Sequence, residues 1–161
     1  MEGMAEEQSY HPRYQNTFLW LNKYRPRPEN NADATFDNNL NYNNNYRYYR
    51  YAEALLNAAE LLIATGGSAT EAAGYVSQVR QRAGLAAVSS VTADDILNER
   101  DLEFMGEGKR YWDLVRTGKA ATVLTASNHE YRTVSWTESK KYWPIPQSEL
   151  DKDPNLVQNN Y

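Results

Sequence analysis

The chain contains no cysteine among its 161 residues. Disulfide scaffolds, thiolate zinc sites and cysteine nucleophiles are therefore excluded. The two histidines, His11 and His129, lie too far apart in sequence to form a local histidine metal motif. The sequence also lacks a P-loop, a dinucleotide-binding glycine fingerprint and a nucleophile elbow. We therefore expect no metal site and no cofactor.

Long apolar runs are also missing. No stretch of about 18 apolar residues occurs, so the sequence predicts no membrane-spanning helix. The first ten residues are acidic and lack the apolar stretch of a secretory signal. The chain is therefore either cytoplasmic or a piece of a longer protein whose targeting segment lies elsewhere. The net charge of −4 argues against nucleic acid as a partner, because phosphate binding needs a basic face.

Residues 1–45 predict an irregular, loop-rich segment, separate from a helical part over residues 46–161. Thr17 to Leu21 favour a short strand. Half of the residues from 30 to 45 are asparagine, which favours turns and competes with regular backbone pairing. A loop of this length is unusual within a compact domain, so we expect it to be functional, disordered or packed against another segment.

The helical part predicts two helical hairpins. A first helix is expected over Tyr46 to Ala64, from an apolar stripe that includes Tyr48 and Leu55. A second begins at the capping box of Ser68 and runs to Arg82, a third runs from Thr92 to about Met105, and a fourth covers roughly Lys109 to Thr117. Hairpins of about 35 to 40 residues are typical of tetratricopeptide-like stacking.

The C-terminal residues follow a different pattern. The alternation from Tyr131 to Trp136 predicts a strand, and the prolines near Lys140 to Pro146 predict an extended segment. Asp151, Asp153 and Asn155 resemble the start of a calcium loop, but Leu156 replaces the required glycine and the chain ends before a twelfth-position glutamate. We therefore interpret these residues as a proline turn. The fold class predicted is mostly α, with long irregular loops and a short extended or β C-terminal segment.

Three glutamates, Glu99, Glu103 and Glu107, are spaced four residues apart. Glu99 and Glu103 would share a helix face, and two nearby carboxylates could serve retaining glycoside hydrolysis. We favour ion pairing with arginines on neighbouring helices, because a partly buried pair fixes helix register. The residues expected in structural ion pairs are Arg50, Glu53, Glu99, Arg100, Glu103 and Arg110. On this interpretation, Glu103→Ala or Arg110→Ala should harm folding more than ligand binding.

The many aromatic residues suit either a core or a sugar-stacking surface. Trp112 and Trp143 adjoin apolar or proline neighbours, so they are expected in the core. Trp20 and Tyr24 flank Asn22 beside a long polar loop. These three residues are the candidates for contact with a ligand.

Four stretches together resemble the C-terminal portion of the SusD/RagB-type outer-membrane nutrient-binding lipoproteins of Bacteroidetes. They are RYAEALLNAAE (50–60), VRQRAGL (79–85), ILNERDLEFMGEGKRYWDLVRTG (96–118), and YWPIPQSEL followed by DPNLVQNNY near the end. The resemblance covers residue 20 to the end. Asp153 and Asn160 depart from the residues common in the family, and both affect turns only. Because no lipoprotein signal is present, we expect the chain to be a fragment.

The resemblance implies a cell-surface protein that binds an oligosaccharide or polysaccharide and is not an enzyme. It also implies docking on a SusC-like TonB-dependent transporter and a lipid anchor in the outer membrane. The family's ligand site lies mainly in loops and in the half outside this chain, so the resemblance supplies no site residues here. The alternative is a tetratricopeptide-like protein-interaction module without a small ligand.

Overall fold

The computed structural model describes residues 4–6, 19–21, 23, 45–126 and 133–161. Within them the chain is mostly helical, as predicted. Two strands, β1 (Met4–Glu6) and β2 (Leu19–Leu21), pair antiparallel. The helices are α1 (Tyr51–Ala64), α2 (Ala69–Arg82), α3 (Ala93–Glu103), α4 (Arg110–Arg116), α5 (Ala120–Val123) and α6 (Gln147–Leu150), with a 3-10 helix at Glu138–Lys141. None of the helices in these ranges is long and apolar enough to cross a membrane.

The chain divides into two compact units, one ending at Arg110 and the other covering Tyr111–Tyr161. This division falls within the predicted helical part. The predicted boundary at residue 45 stays a prediction, because most of residues 1–45 lie outside the described ranges.

Helix α1 begins at Tyr51, five residues later than predicted. Arg50 precedes it with extended backbone angles, φ −135° and ψ 157°, and its side chain does not cap the helix. That side chain instead bonds to Glu103 and Glu107, so the approach to α1 is set by tertiary contacts. Tyr48 of the predicted stripe therefore lies before the helix and is exposed. The stripe is buried along α1 at Ala52, Leu55 and Ala59.

Helices α2 and α3 begin at caps that their sequences predict. The Ser68 hydroxyl accepts a hydrogen bond from the Glu71 amide at 3.1 Å. At α3, Thr92 accepts from the Asp95 amide, and the Asp95 carboxylate accepts from the Thr92 amide at 2.8 Å. These contacts satisfy amides that the first helical turn leaves without partners. Both helix starts therefore follow from local sequence.

The first unit is organised around the α1–α2 hairpin, against which α3 packs. Alanine and valine on α2 bring its axis close to α1, where Leu56 is fully buried. Phe104, directly after α3, and Ile96 complete this core. Its buried residues are Ala52, Leu55, Leu56, Ala59, Ala72, Ala73, Val76, Val79, Val91, Ile96 and Phe104.

The second unit has a smaller core that corrects the expectation for the tryptophans. Leu114, Ala120 and Leu124 pack with Trp136, which is buried. The indole N–H of Trp136 donates to the Tyr111 hydroxyl at 3.2 Å. Trp112 and Trp143 are exposed instead, at 51% and 74%. Neighbouring apolar residues were a poor guide, because Trp112 lies on the face of α4 opposite to buried Leu114.

The predicted C-terminal strand is not found in the described residues 133–136. The Trp136 amide donates to the Leu124 carbonyl at 2.8 Å, so a turn contact replaces strand pairing. Further on, Lys140 lies in the 3-10 helix, and Tyr142 has extended backbone angles. The Gln158 side-chain amide pairs with the backbone of Ile145 through bonds of 2.8 and 2.9 Å. A side chain thus satisfies backbone groups that a strand would otherwise bind.

Candidate functional site

Of the three candidate ligand contacts, the structure describes only the backbone of Trp20. The backbone of Trp20 lies in β2 opposite Ala5. Its side chain is outside the described residues, as are Asn22 and Tyr24. The structure does describe Leu21 and Lys23, and both contact the turn that follows α3.

This turn, residues 104–108, is built on two glycines. Gly106 and Gly108 have φ of 75° and 73°, in the left-handed region that glycine adopts without steric cost. At Gly106 a β-carbon would lie 2.4 Å from Cδ2 of Leu21, so the side chain of Leu21 rests directly on the glycine backbone. The Glu107 amide donates to the Phe104 carbonyl at 2.9 Å and closes the turn. Leu21 therefore packs tightly against the backbone of this turn.

Arg50 is the centre of an ion-pair network around this turn. Its guanidinium donates to both carboxylate oxygens of Glu107, at 2.7 and 2.9 Å. It also donates to the Glu103 carboxylate at 2.7 Å and to the Glu103 carbonyl at 3.0 Å. The fork geometry of arginine suits such bidentate pairing. One side chain thereby ties the start of α1 to the end of α3 and to the turn.

Lys23 and Arg82 complete the contacts of these two glutamates. The Lys23 ammonium bonds to the Glu107 carboxylate. Arg82, in the last turn of α2, donates to the second oxygen of Glu103 at 2.6 Å. The side chains of Glu103 and Glu107 are 6% and 1% exposed, so both carboxylates are buried. Buried carboxylates need this degree of pairing to stay ionised without a large penalty.

A second part of the network surrounds Glu53 on α1. Lys109 binds the Glu53 carboxylate at 3.0 Å, and Arg100 lies 3.8 Å from its other oxygen. Arg100 also donates to the side-chain oxygen of Asn57 at 2.6 Å. Phe104 is covered by two guanidiniums, Arg50 at 5.1 Å and Arg100 at 5.2 Å from the ring centroid. These distances allow a cation–π attraction between each guanidinium and the ring.

Two further pairs lie on α3. Glu99 is buried and accepts a bond from Arg80 of α2 at 2.9 Å. Arg110 pairs with Asp101 at 3.2 Å, and both side chains are substantially exposed. Arg110 therefore lies outside the buried network, unlike the other five residues that the sequence places in ion pairs.

The set of residues expected in ion pairs does not include four members of the network, namely Lys23, Arg82, Glu107 and Lys109. The four-residue spacing favours ion pairing for Glu107, but it does not identify Arg50 as the partner, because a turn separates Glu107 from the helix of Glu103. The available signal was the pair of glycines around Glu107, which places an acid where the chain reverses. Lys23 is 84 positions from Glu107, and no pattern in a single sequence predicts such a pair.

The electrostatics of Glu107 favour a permanent ion. Burial acts to raise the pKa of Glu107, but hydrogen bonds from Arg50 and Lys23, together with their charges, outweigh burial and lower it. For Arg50, burial acts to lower the pKa, and the two glutamates reverse this and raise it. A general acid needs a raised carboxyl pKa. The pKa of Glu107 is lowered, which is opposite to the shift that a general acid needs.

The residues that resemble the start of a calcium loop lie at a turn around Asp153. Its carboxylate accepts from the Asn155 amide at 2.9 Å and from the Asn155 side chain at 3.0 Å, which forms a side-chain turn. Among the residues that the structure describes, no group of three or more histidines or acids is placed to hold a metal ion.

Comparison with known proteins identifies relatives over most of the chain. SusD-like protein P38 of Formosa agariphila is 37% identical over 124 residues, which are 69% of this chain and 23% of that protein. Starch-binding protein SusD of Bacteroides thetaiotaomicron is 34% identical over 115 residues, 69% of this chain and 20% of that protein. The chain thus spans between a fifth and a quarter of the length of these relatives.

Solved structures are similar over nearly the whole chain. Surface glycan-binding protein A from Bacteroides uniformis superposes with a TM-score of 0.87 at 54% identity, over 98% of this chain and 36% of that one. The protein of the same name from Bacteroides thetaiotaomicron, in complex with laminarihexaose, gives 0.83 at 54% identity, over 96% and 33%. A sequence model of the SusD family matches residues 3–161. The chain therefore belongs to the SusD family.

Proposed function

We propose that this chain is part of a cell-surface protein that binds a laminarin-type oligosaccharide or polysaccharide. The observation that carries the proposal is the similarity to a structure solved with laminarihexaose, at 54% identity over 96% of this chain. A structure titled as a laminarin binding SusD-like protein is also 38% identical, with a TM-score of 0.76. Two laminarin-related proteins at these identities favour this glycan over starch.

Within the chain we assign different roles to the loops and to the helices. The ion-pair network and the α1–α2–α3 core form a scaffold of tetratricopeptide-like hairpins. Trp20, Asn22 and Tyr24 contact the glycan, since aromatic and amide side chains suit stacking on sugar rings and bonding to hydroxyls. The protein delivers its ligand to a SusC-like TonB-dependent transporter in the outer membrane and is held there by a lipid anchor.

The buried carboxylates support binding rather than hydrolysis. Both oxygens of Glu103 already accept bonds from arginine, one from Arg50 and one from Arg82. Glu99, the other carboxylate considered for hydrolysis, is buried and accepts a bond from Arg80 at 2.9 Å. A retaining hydrolase needs one free nucleophilic carboxylate and one protonated acid facing the substrate. Glu103 has both oxygens bonded to arginine, and Glu99 is buried against Arg80, so we assign both residues to the scaffold.

Isothermal titration of the full-length protein with laminarihexaose tests the proposal. We expect saturable binding of laminarihexaose and weaker binding of maltohexaose at equal chain length. Trp20→Ala should weaken binding about tenfold, the loss of a contact worth about 1.4 kcal/mol. Trp112→Ala is the matched control, because it removes an exposed tryptophan of the second unit and should change affinity less than about twofold. Absence of binding to any saccharide in a wider panel would overturn the proposal.

The alternative function is a protein-interaction module without a small ligand. The observation in its favour is the α1–α2 hairpin, since helical hairpins commonly present protein-binding surfaces. Titration separates the two functions. A module of this kind would bind the transporter and give no heat with any glycan, whereas the proposed protein binds laminarihexaose without the transporter.

A further inference from the structure

The segment that ends β2 is attached to the scaffold at two adjacent points. Leu21 rests on Gly106, and Lys23 bonds to Glu107, the next residue of the same turn. The side chain of Lys23 is 17% exposed, so this contact is largely shielded from water. An apolar contact and a shielded ion pair, two residues apart, fix both the position and the direction of the segment.

The two attached residues alternate in the sequence with the proposed glycan contacts. Leu21 and Lys23 occupy odd positions, and Trp20, Asn22 and Tyr24 occupy the even positions around them. Strand β2 ends at Leu21, and Lys23 lies in a 3-10 turn, so each of the two attached residues is a direct chain neighbour of proposed glycan contacts. A scaffold that holds Leu21 and Lys23 therefore restrains the chain at two points next to the proposed glycan contacts.

Glu107 is itself held in place. Arg50 binds both of its oxygens, and Arg50 is bound in turn to Glu103 at the end of α3. The backbone of Glu107 lies between Gly106 and Gly108, whose positive φ angles define the turn. The carboxylate that binds Lys23 is thus also held by the helical scaffold, through Arg50.

We propose that Glu107 is a positioning residue for glycan binding, acting through Lys23 on the segment that carries Trp20. It does not contact the glycan. It connects the scaffold to the binding segment, so loss of the Lys23 contact lowers glycan affinity while the helical core stays folded. This inference rests on the proposed function for the glycan, and on the structure alone for the attachment.

Substitution of the lysine provides the sharpest test. Lys23→Gln removes the charge that binds Glu107 and leaves the Arg50–Glu107 pair in place. Lys109→Gln is the matched control, because Lys109 binds the buried Glu53 carboxylate in the same network and touches no residue of the β2 segment among its described contacts. We expect Lys23→Gln to weaken laminarihexaose binding about five- to tenfold and Lys109→Gln to change it less than about twofold.

Further readouts distinguish positioning from a general loss of structure. Lys23→Arg should restore most of the affinity, because it keeps the charge. Hydrogen exchange should rise in the backbone of residues 19–23 in Lys23→Gln and not in Lys109→Gln, with the exchange of α1 and α3 unchanged in Lys23→Gln. Equal affinities for the two glutamine variants would overturn the positioning role, and so would equally raised exchange throughout the first unit in Lys23→Gln.

Failure of the proposed function gives a different result. A wild-type protein that binds no glycan would refute the laminarin proposal and, with it, the positioning of a glycan site. The attachment itself would then be decided by hydrogen exchange alone: unchanged exchange at residues 19–23 in Lys23→Gln would refute it, and a local rise would support it.

Discussion

Removal of Arg50 should strongly destabilise the first unit, because Arg50 pairs with two buried carboxylates. Its guanidinium makes four hydrogen bonds, three to carboxylate oxygens and one to the Glu103 carbonyl. The perturbation we choose is Arg50→Met, which keeps most of the length and the apolar stem of the side chain. The variant leaves Glu103 and Glu107 buried with one basic partner each, Arg82 and Lys23.

The expected cost follows from burial. Removing one partner of a buried ion pair costs about 3–5 kcal/mol, because the remaining charge loses its compensation. Two features reduce this figure here: the side chain of Arg50 is 19% exposed, and each glutamate keeps one base. We therefore expect a loss of about 2–4 kcal/mol in the free energy of unfolding. Domains have only about 5–15 kcal/mol in total, so the effect is large.

Urea unfolding at neutral pH, followed by circular dichroism, measures this loss. Arg110→Met is the matched control, since Arg110 pairs with Asp101 at 3.2 Å and the two side chains are 33% and 45% exposed. Surface pairs contribute about 0–1 kcal/mol. This exposure also lowers the folding cost that the sequence alone predicted for Arg110→Ala.

Arg50→Met and Arg110→Met should therefore differ clearly in the free energy of unfolding that they lose. If Arg50→Met and Arg110→Met differ by less than about 0.5 kcal/mol, burial does not determine the strength of these pairs and the scaffold role is refuted. Arg50→Lys adds a second test. Arg50→Lys keeps the positive charge but loses the bidentate geometry of the guanidinium. Its free energy of unfolding should therefore lie between those of wild type and Arg50→Met.

Further predictions concern the turn, acid stability and the second core. Because the pKa of Glu107 is lowered from 4.5, its stabilising contribution is present above that pH and is lost as pH falls through the folded pKa; the difference in unfolding free energy between wild type and Glu107→Gln should therefore shrink below about pH 4.5 in urea titrations. Gly106→Ala should lower the melting temperature more than Gly108→Ala. Both glycines have positive φ, where a side chain costs about 1–2 kcal/mol, but only a β-carbon at Gly106 would displace Leu21. Trp136→Ala should cost about 3–5 kcal/mol, measured by urea unfolding, and Trp143→Ala less than about 0.5 kcal/mol, because only Trp136 is buried.

Those parts of the fold that depend on local chemistry could be predicted from the sequence. The caps at Ser68 and Thr92 fix where α2 and α3 begin, because each satisfies amides within three residues of itself. The start of α1 could not be predicted in this way. It depends on Arg50, whose partners lie more than 50 positions further along the chain. Local periodicity therefore extended α1 over tyrosines that lie before the helix.

In the second unit, the sequence likewise does not predict which tryptophan is buried. Trp143 adjoins a proline and Trp136 lies between a serine and a threonine, yet Trp136 is the buried one. Trp136 is buried because α5 brings Leu124 to it, and α5 is only four residues long. Helices of this length carry no usable periodicity. The sequence could indicate that a tryptophan belongs in this core, but not which one.

The network gains its importance from the number of separate segments that it joins. Arg50 precedes α1, Arg82 ends α2, Glu103 ends α3, and Glu107 lies in the turn beyond. Each carboxylate is paired only when at least two of these segments are in place, so the cost of burying it opposes partly assembled states. A purely apolar contact would tolerate small displacements of one helix along another, whereas the bidentate hydrogen bonds of a guanidinium do not. We infer that the network fixes the register of the helices, and that Lys23 extends this fixed register to the segment where ligand contacts are proposed.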